Sequence, residues 1–220
     1  MNFIRKLSFK LMTPSQRRIL RKFIAPLRRV GIKKDFTILS NNCWGGITYD
    51  KFGLKYTTPT VGLIITPYDY IKFLKNLNYY LSLTPVPYEN QPNDKKTNHQ
   101  PHLYKAHLGD ITLNFIHYKT IEDGIAKWER RKKRIVKDNI IVKWSDFKFK
   151  DELEEIQMLD EFDKLPYKKF IFTTEPKVAD KYDYAYLFPK KDEDDHLILD
   201  EFYNSDKIVG FKKIKEVINS

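Results

Sequence analysis

Phe36-Thr37-Ile38-Leu39-Ser40-Asn41-Asn42-Cys43-Trp44-Gly45-Gly46 is the stretch on which the fold turns. Four residues suited to a short buried strand (36–39) run into a polar turn, and a helical stretch to about Phe52 comes next, closed by Gly53. Strand, polar turn and helix then recur. Thr60–Ile65 is a second apolar strand, and Thr66-Pro67 opens a helix whose inner face is Tyr70, Ile71, Leu74, Leu77 and Leu81. Ile111–Tyr118 is a third strand, succeeded at Thr120 by a capped helix turning Ile121, Ile125, Trp128 and Ile135 inward. Strands at Asn139–Trp144, Lys169–Thr174 and Asp183–Phe188 and helices at Asp151–Lys164 and Asp206–Ile218 complete the series. Continuous apolar strands alternating with helices predict an α/β fold: three layers, a mostly parallel sheet with helices on both faces. Residues 84–108, rich in Pro, Asn, Lys and Gln, read as one long loop.

Upstream of this body the charge is lopsided. The chain carries a net charge of +11, and residues 1–34 hold eleven basic residues and no acidic one. Residues 35–220, enough for a single domain, are left with 29 Lys+Arg against 29 Asp+Glu, so the body is neutral. A neutral body with a basic arm argues against a nucleic-acid-binding domain and for an electrostatic tether. Within the arm Phe3, Ile4, Leu7, Leu11 and Met12, and then Ile19, Leu20, Phe23, Ile24 and Leu27, recur at helical spacing. Arg5, Lys6, Arg17, Arg18, Arg21, Lys22, Arg28 and Arg29 fill the other face. Thr13-Pro14-Ser15-Gln16 reads as a cap, Pro26 as a kink or end, and Gly31 as the closing residue of the arm's last helical turn. The apolar runs are far below the ~20 residues that span a bilayer, so the arm is expected to lie on an anionic membrane surface. The alternative is a helix packed on the protein itself. A single cysteine, Cys43, excludes an internal disulfide and fits a reducing compartment, so the expected location is cytoplasmic and peripheral at the inner membrane face.

In open α/β sheets ligands bind beyond the carboxyl ends of the strands. The polar residues there are Ser40 to Cys43, His117, Ser145-Asp146 and Thr173-Thr174-Glu175. Cys43, or failing that Ser40, is the candidate nucleophile, His117 its base and Asp146 the group that orients the histidine. Asn41, Asn42, Trp44 and the Gly45-Gly46 amides are the candidate oxyanion or phosphate donors, joined by Arg130 and Arg131 from the basic run 130–134. Against these stand plainer readings: Cys43 as a small buried residue, the glycines as turn formers, His117 as a core histidine, the basic run as a solvated face. Asp192-Glu193-Asp194 mimics a metal-dependent sugar-transferase motif without the usual strand before it. His99, His102 and His107 lack ligand spacing, so no metal site is expected.

The run 36–46 resembles the signature of an uncharacterised bacterial family, a domain of unknown function found among exopolysaccharide and capsule genes. Further matching stretches are Thr58–Leu63, Asp69–Leu74, His117-Tyr118 with Trp128 and Arg130-Arg131, and Phe162–Pro166. The resemblance implies a place in surface-polysaccharide biosynthesis or modification and carries over no catalytic assignment. The expected function is a transferase acting on a glycan or lipid-linked glycan at the membrane. Acyl transfer from acetyl-CoA comes first, glycosyl transfer from a nucleotide sugar second, and a non-catalytic membrane adaptor third. Oligomeric state is left open.

Overall fold

The computed structural model describes residues 23–89, 103–145, 152–189 and 205–220. In chain order the elements are β1 (Thr37–Ser40), α1 (Trp44–Phe52), β2 (Leu63–Ile64), α2 (Pro67–Lys75), α3 (Leu77–Ser82), β3 (Val86–Pro87), β4 (Tyr104–Leu108), β5 (Ile111–Phe115), α4 (Ile121–Lys132), β6 (Ile140–Ser145), α5 (Glu152–Asp163), β7 (Lys168–Thr173), α6 (Pro176–Lys181), β8 (Ala185–Leu187), a π-helical turn (Asp206–Gly210) and α7 (Phe211–Asn219). Residues 23–29 form a helical stretch ahead of β1.

The parallel sheet has the order β1-β6-β7-β8. All six residues of β6 are buried, as a strand covered on both faces requires. On one face α1 and α7 pack Trp44, Phe52, Ile214 and Ile218 against Ile141, Phe170 and Phe172. On the other, Tyr70 of α2 and Phe162 of α5 pack with Leu39, Val142, Trp144 and Ile171. The α/β fold with helices on both faces of a parallel sheet is therefore observed.

The strands expected at 60–65 and 111–118 belong to a second, antiparallel sheet of order β2-β5-β4-β3. Burial alternates along β4 and β5, the mark of a sheet with one solvent face. Their hairpin turns at Gly109, whose φ of +61° favours glycine. The segment read as one loop over 84–108 thus begins and ends in strand, β3 and β4, because the short period-two run Tyr104–Leu108 is held by pairing with β5. The helix expected from residue 67 to 81 divides at Asn76 into α2 and α3. Thr66 and Thr120 do cap their helices, accepting from the backbone N–H of Asp69 and Asp123. Pro26 does not end the first helix, which continues through it to residue 29 and closes at Gly31, φ +91°.

Candidate functional site

The carboxyl ends of β1 and β6 lie side by side, with Ser40 opposite Lys143. Asn41 extends that ladder with its side chain: Nδ2 donates to the Ser145 carbonyl at 3.2 Å, and the Ser145 N–H donates to Asn41 Oδ1 at 3.1 Å. The Asn41 carbonyl accepts from Ile65 N–H at 2.9 Å, so one residue stitches both sheets to the turn. Asn42 Oδ1 accepts from Ser40 Oγ (3.1 Å), from the first helical N–H at Trp44 (3.1 Å) and from Lys143 Nζ (3.3 Å), while Nδ2 donates to Ser145 Oγ at 2.8 Å. Lys143 Nζ also bonds Ser145 Oγ and lies 4.7 Å from the Phe172 ring centroid. Ser40, Asn41, Asn42, Lys143 and Ser145 are all buried. Beside them the buried Trp44 indole N–H lacks a hydrogen-bond acceptor among the described residues.

Cys43 is the buried N-cap residue of α1 and makes no side-chain capping bond. The two glycines after it are packing positions. A Cβ on Gly45 would stand 3.2 Å from Ile38 Cγ2, and one on Gly46 2.8 Å from Val61 Cγ1. Close approach of α1 to β1 and to the 58–62 loop is what they provide, and as first-turn residues they also bring N–H groups that the helix leaves without intrahelical partners.

His117 stands beyond the end of β5 and is exposed, so the core-histidine reading is corrected. Among the described residues no hydrogen bond joins it to Cys43. The chain leaves β5 as Ile116 N–H bonds the Gly62 carbonyl at 3.0 Å, and Tyr118 becomes the residue that turns inward. Burial pushes the Tyr118 phenol up, opposed by the Arg131 guanidinium beside it. Arg131 is 7% exposed. Its Nη1 donates to the Tyr118 hydroxyl at 2.8 Å and to the Val61 carbonyl at 3.3 Å, and its guanidinium carbon lies 4.9 Å from the Tyr56 ring centroid. Among the described residues no carboxylate pairs with it. Because Val61 also packs on Gly46, Arg131 belongs to the same neighbourhood as the turn.

The structure therefore brings together Ser40, Asn41, Asn42, Cys43, Trp44, Gly45 and Gly46, with Arg131 on one flank. Arg130, next to Arg131 in sequence, is turned outward by α4 and exposed. Asp146 and the Asp192-Glu193-Asp194 motif lie outside the described residues, as do His99, His102, Arg5, Lys6, Arg17, Arg18, Arg21 and Lys22. His107 is exposed on β4, its ring centroid 3.9 Å from that of Tyr88. Thr173, at the end of β7, is occupied locally, accepting from Glu175 N–H at 2.9 Å. Ser145, a strand-end residue, joins the turn, and Lys143, Tyr118 and Tyr56 complete the neighbourhood although motif spacing does not single them out. For Lys143 a signal exists, since a lysine inside Ile140-Ile141-Val142-Lys143-Trp144 falls where a covered strand carries apolar residues.

An uncharacterized protein of Haemophilus influenzae strain Rd is 30% identical to this chain over 158 residues, covering 70% of this chain and 69% of its own length. Residues 16–219 match the family model of a domain of unknown function, DUF1919, which spans both sheets and the site between them. The chain belongs to the DUF1919 family.

Proposed function

We propose that this chain is a transferase of cell-surface glycan assembly, working at the inner membrane face and seating the diphosphate of its donor on the β1–α1 turn. The observation that carries the seat is Arg131, a buried guanidinium whose described partners are a carbonyl, a phenol and an aromatic face. Burying such a charge is costly, and a phosphate ligand that pairs with it offsets the cost. The Gly45 and Gly46 amides of the first turn of α1, linked to Arg131 through Val61, are donors of the kind phosphates use. The glycan context rests on the resemblance carried by the 36–46 run.

The two candidate donors, acetyl-CoA and a nucleotide sugar, share the diphosphate. Acyl transfer is supported by the bonded Lys143 amine and Ser145 hydroxyl, a serine–lysine arrangement that serves acyl chemistry on unrelated folds. With His117 exposed and not bonded to Cys43, Ser145 is the better nucleophile and Lys143 its base. Glycosyl transfer is the second reading, since the same seat suits a nucleotide sugar.

The test is a thermal shift of the full chain with coenzyme A, acetyl-CoA, UDP-sugars and ADP, succeeded by turnover with a lipid-linked glycan acceptor. A ligand that binds only the native state raises the melting temperature. Stabilisation by a diphosphate-bearing ligand, lost in Arg131→Met, supports the seat. Stabilisation and turnover with acetyl-CoA, abolished in Ser145→Ala, select acyl transfer, whereas stabilisation by UDP-sugars alone selects glycosyl transfer. No shift with any of them overturns the proposal.

A further inference from the structure

The helical stretch 23–29 is tied down on one side and exposes apolar side chains on the other. Ala25 is buried and packs on Gly53, its Cβ 2.7 Å from where a Gly53 Cβ would stand. The remaining ties run to α7: Arg28 lies over the Phe211 ring at 5.0 Å, Lys215 Nζ donates to the Val30 carbonyl at 2.8 Å, and Asn219 Nδ2 donates to the Gly31 carbonyl at 2.7 Å. Lys33 N–H returns a bond to Asn219 Oδ1, and Lys34 Nζ donates to the Ser220 carbonyl. Away from these ties, Phe23, Leu27 and Val30 are 75%, 73% and 67% exposed. Spaced at i, i+4 and i+7, they form one apolar stripe. Arg29, Lys33 and Lys34 of the same segment are exposed, and α7 exposes Lys212 and Lys213; the acidic groups in and just beyond these two segments are Asp35 and Glu216, the latter 3.9 Å from Lys212.

We infer that this composite of the 23–34 segment and α7 is a docking surface for anionic phospholipid, the stripe entering the headgroup boundary and the lysines of α7 meeting lipid phosphates. It rests on the membrane reading above and deepens it, because the contact requires a clamped tertiary surface as well as a basic arm. Apolar residues bordered by lysine and arginine are what an interfacial helix presents. In sequence the 23–34 segment follows residues 1–22, which hold seven further basic residues and no acidic one. It also lies at the amino edge of the parallel sheet, where Asn139 Nδ2, just ahead of β6, donates to the carbonyls of Asp35 and Ile218. The β1–α1 turn is at the other end of β6, six residues away and so about 20 Å along the sheet.

The test is co-sedimentation of the full-length protein with phosphatidylcholine vesicles, with and without phosphatidylglycerol, across a salt series. Wild type is expected to bind only the anionic vesicles, less so at high salt. Phe23→Ser/Leu27→Ser and Lys212→Glu/Lys213→Glu should each weaken binding by roughly ten-fold while circular dichroism and melting temperature stay unchanged, since all four residues are exposed. Lys105→Glu/Lys119→Glu, the same charge change elsewhere, should leave binding intact. Strong wild-type binding that neither test pair weakens overturns the composite surface and leaves the membrane reading to residues 1–22. Failure of wild type to bind anionic vesicles overturns the membrane reading itself. A dimer in light scattering that Leu27→Ser dissociates would make the occupant a second copy of the chain and overturn the lipid assignment.

Discussion

The two sheets of this molecule bury their residues by different rules. Along β6 of the parallel sheet every side chain is enclosed, Lys143 and Ser145 included, whereas along β4 and β5 of the antiparallel sheet burial alternates and Lys105 and His107 face solvent. A lysine at position 105 costs little, because its ammonium stays in water. A lysine at position 143 is desolvated, and it persists only inside a hydrogen-bonded network with Asn42 and Ser145. In the parallel sheet the fully buried Lys143 and Ser145 thus lie toward the carboxyl end of β6, where chemistry is expected. In the antiparallel sheet Lys105 and His107 lie along the solvent face, where they need no further explanation.

The largest effect that separates the sheets should come from Phe172→Ala on β7. Phe172 is fully buried, 5.0 Å from Trp44 and 4.9 Å from Phe188 between ring centroids, and forms one wall around Lys143. Truncating it removes aromatic packing and leaves a cavity, a loss of about 3–5 kcal/mol in urea denaturation. A loss below about 1 kcal/mol would show that this face of the parallel sheet is loosely packed and that the contrast is mistaken.

A smaller effect tests the seam between the sheets. Gly46 belongs to α1, on the parallel sheet, and meets Val61, just ahead of β2 in the antiparallel one. Gly46→Ala places a Cβ 2.8 Å from Val61 Cγ1 and should cost about 1–3 kcal/mol by overpacking. Val61→Ala in the same chain should recover part of that loss, and a double-mutant cycle measures the coupling directly. Additive losses would mean that the two sheets do not meet tightly here.

How far the fold is legible in the sequence depends on the same division. β1, β6 and β7 are readable because covered strands are continuous apolar runs, and α2 and α4 because Thr66-Pro67 and Thr120 mark their starts. The antiparallel sheet is less so. The two residues of β3 include a proline, and β4 is fixed by its pairing with β5 across Gly109 rather than by any strong local signal. At the site, Ser40, Asn41 and Asn42 emerge from the rule that strand ends carry function, while their partner Lys143 depends on the β1–β6 register. His117 escapes the alternation of Ile111, Leu113 and Phe115 because β5 ends at Phe115; beyond that point the period-two rule no longer assigns faces. Tyr118 takes the inward place, its ring 3.0 Å from where a Gly62 Cβ would stand, at a φ of +75° that favours glycine.

Alkaline pH should destabilise both halves, through phenols held neutral by burial. Tyr70, on the parallel-sheet side, donates to the Leu39 carbonyl at 2.9 Å and accepts from Lys143 N–H; burial raises its phenol well above the usual range. Tyr80 of α3, on the antiparallel side, is pushed up to about 12 by burial and by its bond to the Asp110 carboxylate. In the unfolded chain both phenols ionise near pH 10, so the unfolded state sheds protons first as pH rises. Their contribution is full below about pH 10 and is lost as pH climbs toward 12 and beyond. Melting temperature measured from neutral to strongly alkaline pH should fall there, and Tyr70→Phe should flatten the fall while lowering the neutral-pH value. An unchanged slope in Tyr70→Phe would mean that this phenol is not held neutral by the fold.

The smallest effect completes the contrast. Lys105→Ala alters an exposed residue of β4, between the buried Tyr104 and Ala106, whose backbone remains paired with Asn114. Neither a buried charge nor a cavity is created, so denaturation should shift by no more than about 0.5 kcal/mol. Lys143→Met, the matched change in the parallel sheet, removes a buried amine but keeps an apolar stem of similar length between Trp44 and Phe172. Removing a buried polar group removes its desolvation cost, but here Asn42 Oδ1 and Ser145 Oγ each lose a partner, so the two terms oppose. Stability that holds while donor turnover disappears would assign Lys143 to chemistry. Loss of fold in Lys143→Met, with Lys105→Ala silent, would make the buried amine a structural keystone of the parallel sheet and remove it as the base.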